Sequence, residues 1–206
     1  MKNILAFGDS NTWGYNPKNR GRFPWGVRWT SILQQALPDF RIIEEGLCGR
    51  TTVFEDNLRK GRRGIDYISV ISETNFPLDY AIIMLGTNDC KTIYNASAEI
   101  IGKGIELCLD ELEKHINAQN ILLISPILLG ENVAEKDPEF DKNSVLISKG
   151  LKAVYKRIAQ NRGINFLAAS DFATPSDADY EHLDENGHAL LARAVIEKLR
   201  EMGVGK

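Results

Sequence analysis

Cysteine is scarce in this sequence, and the cysteines it has form no recognisable pattern. The 206 residues include three, Cys48, Cys90 and Cys108, with no C-x-x-C spacing among them. An odd number of scattered cysteines does not build a disulfide framework, and reduced thiols are typical of the cytoplasm. We therefore expect a cytoplasmic protein without disulfide bonds.

Long hydrophobic runs are missing as well. No segment approaches the roughly 18 apolar residues that a membrane span requires. The first predicted strand begins almost at once, after a single Lys and with no apolar stretch of signal-peptide length before it. The sequence therefore predicts no leader peptide and no association with a membrane.

A strong excess of one charge is also absent, since the formal net charge is only −3. The densest cationic cluster, Arg59-Lys60-Gly61-Arg62-Arg63, is typical of a solvated loop. Proteins that bind nucleic acids usually present a basic face and a high pI, so we expect no nucleic-acid partner.

With 43% hydrophobic and 26% charged residues, the composition is that of a globular protein. The length predicts one domain over residues 1–206.

Short apolar runs alternate with longer amphipathic segments along the chain. Continuous runs of this kind are typical of strands that are buried on both faces. The predicted strands span residues 3–7, 41–45, 80–85, 121–125 and 164–167. The predicted helices span residues 27–37, 63–74, 96–116, 144–159 and 185–202, where apolar side chains recur every three or four positions. The alternation predicts a three-layer α/β fold with parallel strands and helices on both faces.

Polar clusters follow four of the five predicted strands. They are Gly8-Asp9-Ser10, Gly46-Leu47-Cys48-Gly49, Gly86-Thr87-Asn88-Asp89 and Asp179-Tyr180-Glu181-His182. Ligands of open parallel sheets bind beyond the carboxyl ends of the strands, so we expect these clusters to share one edge. The acidic loop of residues 129–143 is long enough to form part of a lid or an interface.

Three of these side chains could form a nucleophilic triad. A serine hydroxyl is a weak nucleophile until a base removes its proton, and His182 could be that base for Ser10. Asp179 lies three residues before His182, close enough in sequence to fix the tautomer of the imidazole. Taken alone, Gly8-Asp9-Ser10 is equally typical of a helix-capping turn. His188 falls inside the last predicted helix, where a buried structural histidine is expected.

Hydrolysis of an ester also requires hydrogen-bond donors for the oxygen that becomes negative. Gly49 could offer its backbone N–H without obstruction by a side chain, and Asn88 could offer its side-chain amide. Each residue also has a plain structural interpretation, as a turn glycine and a capping asparagine.

Together the four clusters resemble the SGNH hydrolases, the GDSL-type esterase and lipase superfamily. The resemblance runs over the whole chain in the family's order, and it implies a flavodoxin-like sheet of five parallel strands. It also implies that Ser10 is the nucleophile, His182 the base and Asp179 its partner. The oxyanion donors would then be the backbone N–H groups of Ser10 and Gly49 and the side chain of Asn88.

More narrowly, the sequence is similar to the oligomeric bacterial arylesterases and acyltransferases. This resemblance rests on Gly8-Asp9-Ser10-Asn11-Thr12-Trp13-Gly14, Val27-Arg28-Trp29-Thr30, Glu44-Glu45-Gly46-Leu47 and residues 82–89. It implies a small ester substrate with a short or aryl group, acyl transfer to alcohols in some members, no cofactor and a homo-oligomer. Removal of acetyl groups from sugars fits equally well. Trp13 would line the substrate pocket, although a core or interface position is an alternative.

The chain departs from the family pattern at several positions. Glu44 stands where Asn is usual, Cys48 replaces a small residue, and Tyr180 and Glu181 replace Gly and an apolar residue. The Cys48 thiol could be inert, or it could make the enzyme sensitive to alkylation.

Two other classes of function stay open at the level of sequence. A metal-dependent phosphoesterase could use carboxylate and imidazole ligands at the sheet edge, although no HExxH spacing is present. Its candidate ligands would be Asp9, Asp89, Asp179, His182 and His188. A non-enzymatic flavodoxin-like binding module is the second alternative, although the first loop has neither GxGxxG nor a Walker pattern.

Overall fold

The computed structural model describes residues 1–205, and Lys206, the last residue of the predicted domain, lies outside them. Its centre is a five-stranded parallel sheet in the order β4-β1-β5-β6-β7. These strands are β1 (Lys2–Gly8), β4 (Phe40–Gly46), β5 (Tyr80–Met84), β6 (Ile121–Ser125) and β7 (Asn165–Ala168). The prediction of a three-layer, flavodoxin-like α/β fold with five parallel strands is confirmed.

Helices cover both faces of this sheet. They are α1 (Ser10–Trp13), α2 (Trp29–Ala36), α3 (Ile65–Thr74), α4 (Ala98–Glu113), α5 (Lys142–Arg162) and α6 (Glu185–Glu201). The five longer helices correspond to the five predicted ones, with ends that differ by a few residues. The four-residue helix α1 has no counterpart in the sequence prediction.

Alternate side chains of β1 point into two separate hydrophobic cores. Leu5 and Phe7 pack with residues of α3, α4 and α5, whereas Ile4 and Ala6 pack with residues of α2 and α6. All four are essentially inaccessible to solvent. A strand buried on both faces requires apolar residues at successive positions, which is why β1 appears as a continuous apolar run. Each of the three larger side chains, Ile4, Leu5 and Phe7, stabilises the fold by about 1.5–3 kcal/mol through burial.

Capping residues set the ends of α5 beyond the predicted limits of 144 and 159. Asp141 accepts a hydrogen bond from the backbone N–H of Ser144 at 2.8 Å, which satisfies one of the free donors at the start of the helix. Gly163 ends the helix with φ of +65°, a conformation that glycine adopts without strain. The helix therefore includes Lys142 and Asn143, which the sequence prediction assigned to the preceding loop.

A small hairpin follows α1. It consists of β2 (Tyr15–Asn16) paired antiparallel with β3 (Gly21–Arg22), and two-residue strands are too short to leave a periodic signal. The buried Phe23 continues from it and donates its backbone N–H to Gly14 O at 2.8 Å. The hairpin places Tyr15 beside the carboxyl edge of the sheet.

Among residues 1–205, no helix is both long and apolar enough to cross a membrane.

Candidate active site

Ser10 lies at the point where β1 leaves the sheet and α1 begins. The carboxylate of Asp9 caps α1 by accepting the backbone N–H of Asn11 at 3.0 Å. Gly14 ends the helix after one turn in the left-handed conformation. The strand is therefore followed by an abrupt, internally bonded turn, which holds Ser10 at the carboxyl edge of the sheet.

Ser10, His182 and Asp179 form a continuous chain of hydrogen bonds. His182 Nε2 lies 2.8 Å from Ser10 Oγ, and His182 Nδ1 lies 2.6 Å from Asp179 Oδ2. The two contacts use opposite nitrogens of the ring, so a proton on Nδ1 leaves Nε2 free to accept the hydroxyl proton. The structure thus brings together the three side chains that the sequence predicted as a triad.

The loop that carries His182 is held by its own hydrogen bonds. Asp179 Oδ1 accepts the backbone N–H groups of Glu181 and His182, each at 3.0 Å. Ser176 N donates to His182 O at 2.7 Å, and Tyr180 adopts φ of +62° to complete the turn. One carboxylate therefore fixes both the backbone of this turn and the ring of His182.

Asn11, which the sequence analysis did not single out, joins the two halves of the site. Its Oδ1 accepts the backbone N–H of Leu183 at 2.9 Å, and its Nδ2 donates to Glu181 O at 3.4 Å. These two residues flank His182, so Asn11 clamps the histidine loop against the turn that carries Ser10. Its position directly after Ser10 was the signal that could have identified it.

Tyr15 supplies a second contact that the sequence did not reveal. Its ring lies against the imidazole of His182, with centroids 4.3 Å apart and planes tilted by 40°. A side chain on the hairpin therefore limits the rotation of His182.

The electrostatic surroundings shift the pKa of both partners in the His182–Asp179 pair. Burial alone would lower the pKa of His182, but the Glu181 carboxylate and the hydrogen bond to Asp179 raise it above its usual value. Burial alone would raise the pKa of Asp179, but hydrogen bonds from the ring and the backbone of His182 lower it. Asp179 is thus an ionised acceptor at neutral pH, and it stabilises a positive charge on the ring.

A cavity of about 410 Å³ opens directly over Ser10 and His182. Gly49 and Asn88 line the same cavity, as the sequence predicted. Gly49 has φ of +81°, and a Cβ there would lie 3.1 Å from the guanidinium carbon of Arg59. The Asn88 amide donates one hydrogen bond to Arg50 O at 3.1 Å, which fixes its orientation and leaves its second N–H available.

The long loop before α5 reaches the same cavity through Glu139. The Glu139 carboxylate binds the Lys91 ammonium at 2.6 Å and the Arg59 guanidinium at 3.3 Å. Its backbone carbonyl accepts the N–H of Thr92 at 2.9 Å. These contacts anchor residues 129–143 to the edge of the site, where the sequence predicted part of a lid or an interface.

Trp13 is not among the residues that line this cavity. The guanidinium of Arg22 lies over its ring at 5.3 Å, and Arg22 Nε donates to Trp13 O at 2.7 Å. The backbone of Trp13 packs so tightly on Gly46 that a Cβ at Gly46 would lie 2.1 Å from Trp13 N. Trp13 therefore lies in the same short helix as Ser10 without lining the cavity, and its role in substrate binding stays a prediction.

Cys48 lines the cavity as a half-buried free thiol. Burial raises the pKa of this thiol to about 11, because the thiolate loses solvation. The surroundings of Cys48 therefore favour the inert alternative over sensitivity to alkylation.

Of the five candidate metal ligands, Asp179 and His182 bind each other, and the other three have separate partners. Asp89 accepts the backbone N–H of Thr52 at 2.9 Å, and Asp9 caps α1. His188 is fully buried in α6, where Nδ1 accepts the backbone N–H of Trp29 at 3.3 Å. In the described part of the chain, no three or more His, Cys, Asp or Glu side chains form a group suited to a metal ion.

Comparison with protein families gives a match over almost the whole chain. Residues 6–190 match the model of the GDSL-like Lipase/Acylhydrolase family. The match includes Ser10, Gly49, Asn88, Asp179 and His182. Among curated protein sequences, none is significantly similar to this chain.

Two solved structures illustrate the similarity in fold. A carbohydrate acetylesterase family member from Sinorhizobium meliloti is 32% identical, with a TM-score of 0.89, and the alignment covers 98% of this chain and 99% of that one. The aryl esterase of M. smegmatis is 30% identical, with a TM-score of 0.88, and the alignment covers 98% and 100%.

Proposed function

We propose that this chain, which belongs to the GDSL-like lipase/acylhydrolase family and is a carboxylic ester hydrolase, acts through an acyl-enzyme formed on Ser10. The observation that carries the proposal is the unbroken chain of hydrogen bonds from Ser10 Oγ through His182 to Asp179, inside an open cavity. A hydroxyl, a base and an orienting carboxylate in this order constitute an activated nucleophile.

In the first step, Ser10 Oγ attacks the carbonyl carbon of the ester while its proton passes to His182 Nε2. Asp179 holds the ring in the productive tautomer and stabilises the imidazolium. The tetrahedral intermediate then collapses, the bond to the alcohol oxygen breaks, and the alcohol leaves with the proton from His182. The acyl group remains on Ser10 as an ester.

In the second step, water attacks this ester while His182 Nε2 accepts one of its protons. Collapse of the second intermediate returns the proton to Ser10 Oγ and releases the carboxylic acid. An alcohol in place of water would give acyl transfer by the same route, and this variant is part of the proposal.

Both tetrahedral intermediates carry a negative oxygen that requires donors. We assign this role to the backbone N–H groups of Ser10 and Gly49 and to the Asn88 amide. The cavity position of Gly49 and Asn88 supports the assignment, as does the hydrogen bond that orients the Asn88 side chain. Donors fixed before the reaction stabilise the developing charge without reorganisation.

The substrate that we propose is a small ester, with a short acyl chain or an aryl leaving group. Similarity to an aryl esterase supports this class, and similarity to a carbohydrate acetylesterase supports acetylated sugars as well. Cavity residues with charged side chains, including Arg20, Lys91 and Glu181, favour a polar ester over a long alkyl chain. A homo-oligomeric state is a further proposal, and it rests on the resemblance to the oligomeric arylesterases alone.

The test combines a covalent label with the hydrolysis of a short aryl ester. A fluorophosphonate should modify the wild-type chain once, on Ser10, and should abolish hydrolysis. Ser10→Ala should take up no label and should lose hydrolysis, whereas a chelator should leave the wild-type rate unchanged. Ser69→Ala, which removes an unrelated serine that is also hydrogen-bonded to a histidine, is the matched control. The proposal would be overturned if Ser10→Ala hydrolysed the ester at the wild-type rate, or if a chelator abolished hydrolysis by the wild-type enzyme.

A further inference from the structure

A second carboxylate lies beside the imidazole of His182. Glu181 Oε2 is 3.7 Å from His182 Nδ1, the same ring nitrogen that binds Asp179 at 2.6 Å. Glu181 is only 7% exposed, and it lines the cavity together with Ser10. The proposed mechanism does not use this side chain.

Glu181 has no cation other than His182 as a close partner. Within residues 1–205, no Lys or Arg nitrogen lies within 4.0 Å of its carboxylate, and no backbone or side-chain donor forms a hydrogen bond with it. Other carboxylates around the cavity are satisfied differently, since Glu139 binds both Lys91 and Arg59. A buried carboxylate without a hydrogen-bond partner is costly. The nearest group that can carry a positive charge beside it is the imidazole of His182.

We propose that Glu181 is a positioning residue that acts through His182, as a second carboxylate that stabilises the imidazolium formed during ester hydrolysis. The inference rests on the proposed function, because it requires His182 to be the base. Asp179 fixes the tautomer through a direct hydrogen bond, and Glu181 adds negative charge on the same side of the ring. In each step, the positive charge on the imidazolium is thus stabilised by two carboxylates, those of Asp179 and Glu181.

Several other ionisable groups surround His182 and Glu181 and contribute to the pH dependence of hydrolysis. Asp179 faces it from the same loop, Asp9 from the turn after β1, Asp137 from the loop before α5, and Lys91 from the segment after β5. Tyr15, on the hairpin, covers the ring of His182 but is uncharged at neutral pH.

Burial raises the pKa of Glu181 to about 7, and the carboxylates around His182 raise the pKa of its imidazole against the opposing effect of burial. Two groups that interact this closely lose their protons in coupled steps.

The sign of the effect follows from the state that the reaction needs. Hydrolysis requires neutral His182, so kcat/KM should rise with pH as the imidazolium loses its proton. A negative Glu181 favours the imidazolium and moves this rise to higher pH. Removal of the charge should therefore move the rise to lower pH, and it should lower kcat because the imidazolium of the transition state is less stabilised.

The experiment measures kcat and kcat/KM of Glu181→Gln from pH 5 to pH 9 with a short aryl ester. The midpoint of the acid limb should fall by about one pH unit, since an opposite charge within about 4–6 Å shifts a titration by this order. At pH 8, kcat should fall by roughly three- to tenfold, with KM changed less. An acid limb at the wild-type position, or at higher pH, would overturn the inference.

Two further variants keep the result interpretable. Glu181→Leu removes the same charge with an apolar side chain of similar size, and it decides the matter if the Gln variant fails to fold. Glu181→Asp keeps the charge, and it should leave the acid limb close to that of wild type. Glu73→Gln, which removes an exposed carboxylate of α3, should leave the profile unchanged.

A double substitution separates this inference from the proposed function. Asp179→Asn should retain a small rate that depends on Glu181, and Asp179→Asn with Glu181→Gln should reduce that rate by a further three- to tenfold. If Ser10→Ala hydrolyses the ester normally, the proposed function fails. If Ser10 is essential but neither charge-removing variant moves the acid limb, the role of Glu181 alone is refuted.

Discussion

Two serine–histidine pairs occur among residues 1–205, and one of them has the surroundings of an active site. In the first, His182 Nε2 lies 2.8 Å from Ser10 Oγ, and in the second, His115 Nε2 lies 2.9 Å from Ser69 Oγ. The two distances are almost equal. A hydrogen bond between serine and histidine therefore does not identify a nucleophile by itself.

The difference lies in the other ring nitrogen and in the place of each pair in the fold. Asp179 binds Nδ1 of His182, whereas within the described chain no carboxylate oxygen lies within 4.0 Å of a ring nitrogen of His115. Ser69 lies in the middle of α3, while Ser10 follows directly on a strand of the sheet.

His115 itself lines a cavity of about 420 Å³, close in volume to the one over Ser10, with residues from the amino ends of β1 and β5. A cavity and a Ser–His contact can thus occur at either end of this sheet. The carboxylate and the donors Gly49 and Asn88 occur together at the carboxyl end alone. Function should therefore be assigned from the Ser–His pair together with its carboxylate and donors. Substitution of these residues one at a time tests the comparison.

The largest expected effect comes from removing His182, the proposed base. His182→Ala should reduce the hydrolysis of a short aryl ester by at least about 10³-fold, because Ser10 then has no acceptor for its proton. His115→Ala should stay within about twofold of wild type. His188→Ala should cost far less activity than His182→Ala, since burial lowers the pKa of His188 to about 4 and keeps it a neutral structural side chain. Equal losses in His182→Ala and His115→Ala would contradict the distinction between the two pairs.

An intermediate effect is expected from Asn88, the proposed side-chain donor beside the Ser10–His182 pair. Asn88→Ala should reduce kcat by roughly 10²–10³-fold, with little change in KM, because the role that we propose for the amide is to stabilise the oxygen that becomes negative in the transition state. Steady-state kinetics of the purified variant provide the measurement. A rise in KM at constant kcat would assign Asn88 to substrate binding instead.

The smallest expected effect comes from Asn11, which joins the turn of Ser10 to the loop of His182. Asn11→Ala removes the hydrogen bonds to the backbone of Glu181 and Leu183, so His182 should spend less time within reach of Ser10. A loss of roughly tenfold in kcat is expected, together with a lower Tm, because a buried hydrogen bond contributes about 1 kcal/mol. Asn132→Ala, at an exposed turn where the backbone has φ of −100° and accommodates alanine, is a matched control for the loss of an asparagine. An unchanged kcat would mean that the loop holds His182 without this clamp.

The parts of the fold that sequence predicted well are those with a strong periodic or apolar signal. β1 and β6 are buried on both faces, and each appears as an unbroken apolar run. The one-turn helix α1 and the two-residue strands β2 and β3 were missed, because elements this short contain no full period. The ends of α5 depend on Asp141 and Gly163, whose capping contacts the periodic pattern does not include.

In the candidate site, too, some features could be predicted from the sequence and others could not. Ser10, Asp179 and His182 could be placed together because strand order brings the carboxyl ends to one edge. Contacts that depend on loop paths could not be predicted, such as the reach of Glu139 to Lys91 or the stacking of Tyr15 on His182. Trp13 was expected at the pocket from resemblance, with a core or interface position as the alternative, and it is not among the residues that line the cavity.

The order of the site residues along the chain has a consequence for synthesis in the cell. Ser10 and His182 are 172 positions apart, so a ribosome makes the proposed nucleophile long before it makes the proposed base. During translation the growing polypeptide therefore carries an ordinary, unreactive serine. Under the proposed mechanism, Ser10 becomes reactive only when β7 and the loop after it have been completed and folded onto the sheet. We therefore expect incomplete products of translation, which lack His182, to leave the esters around them intact.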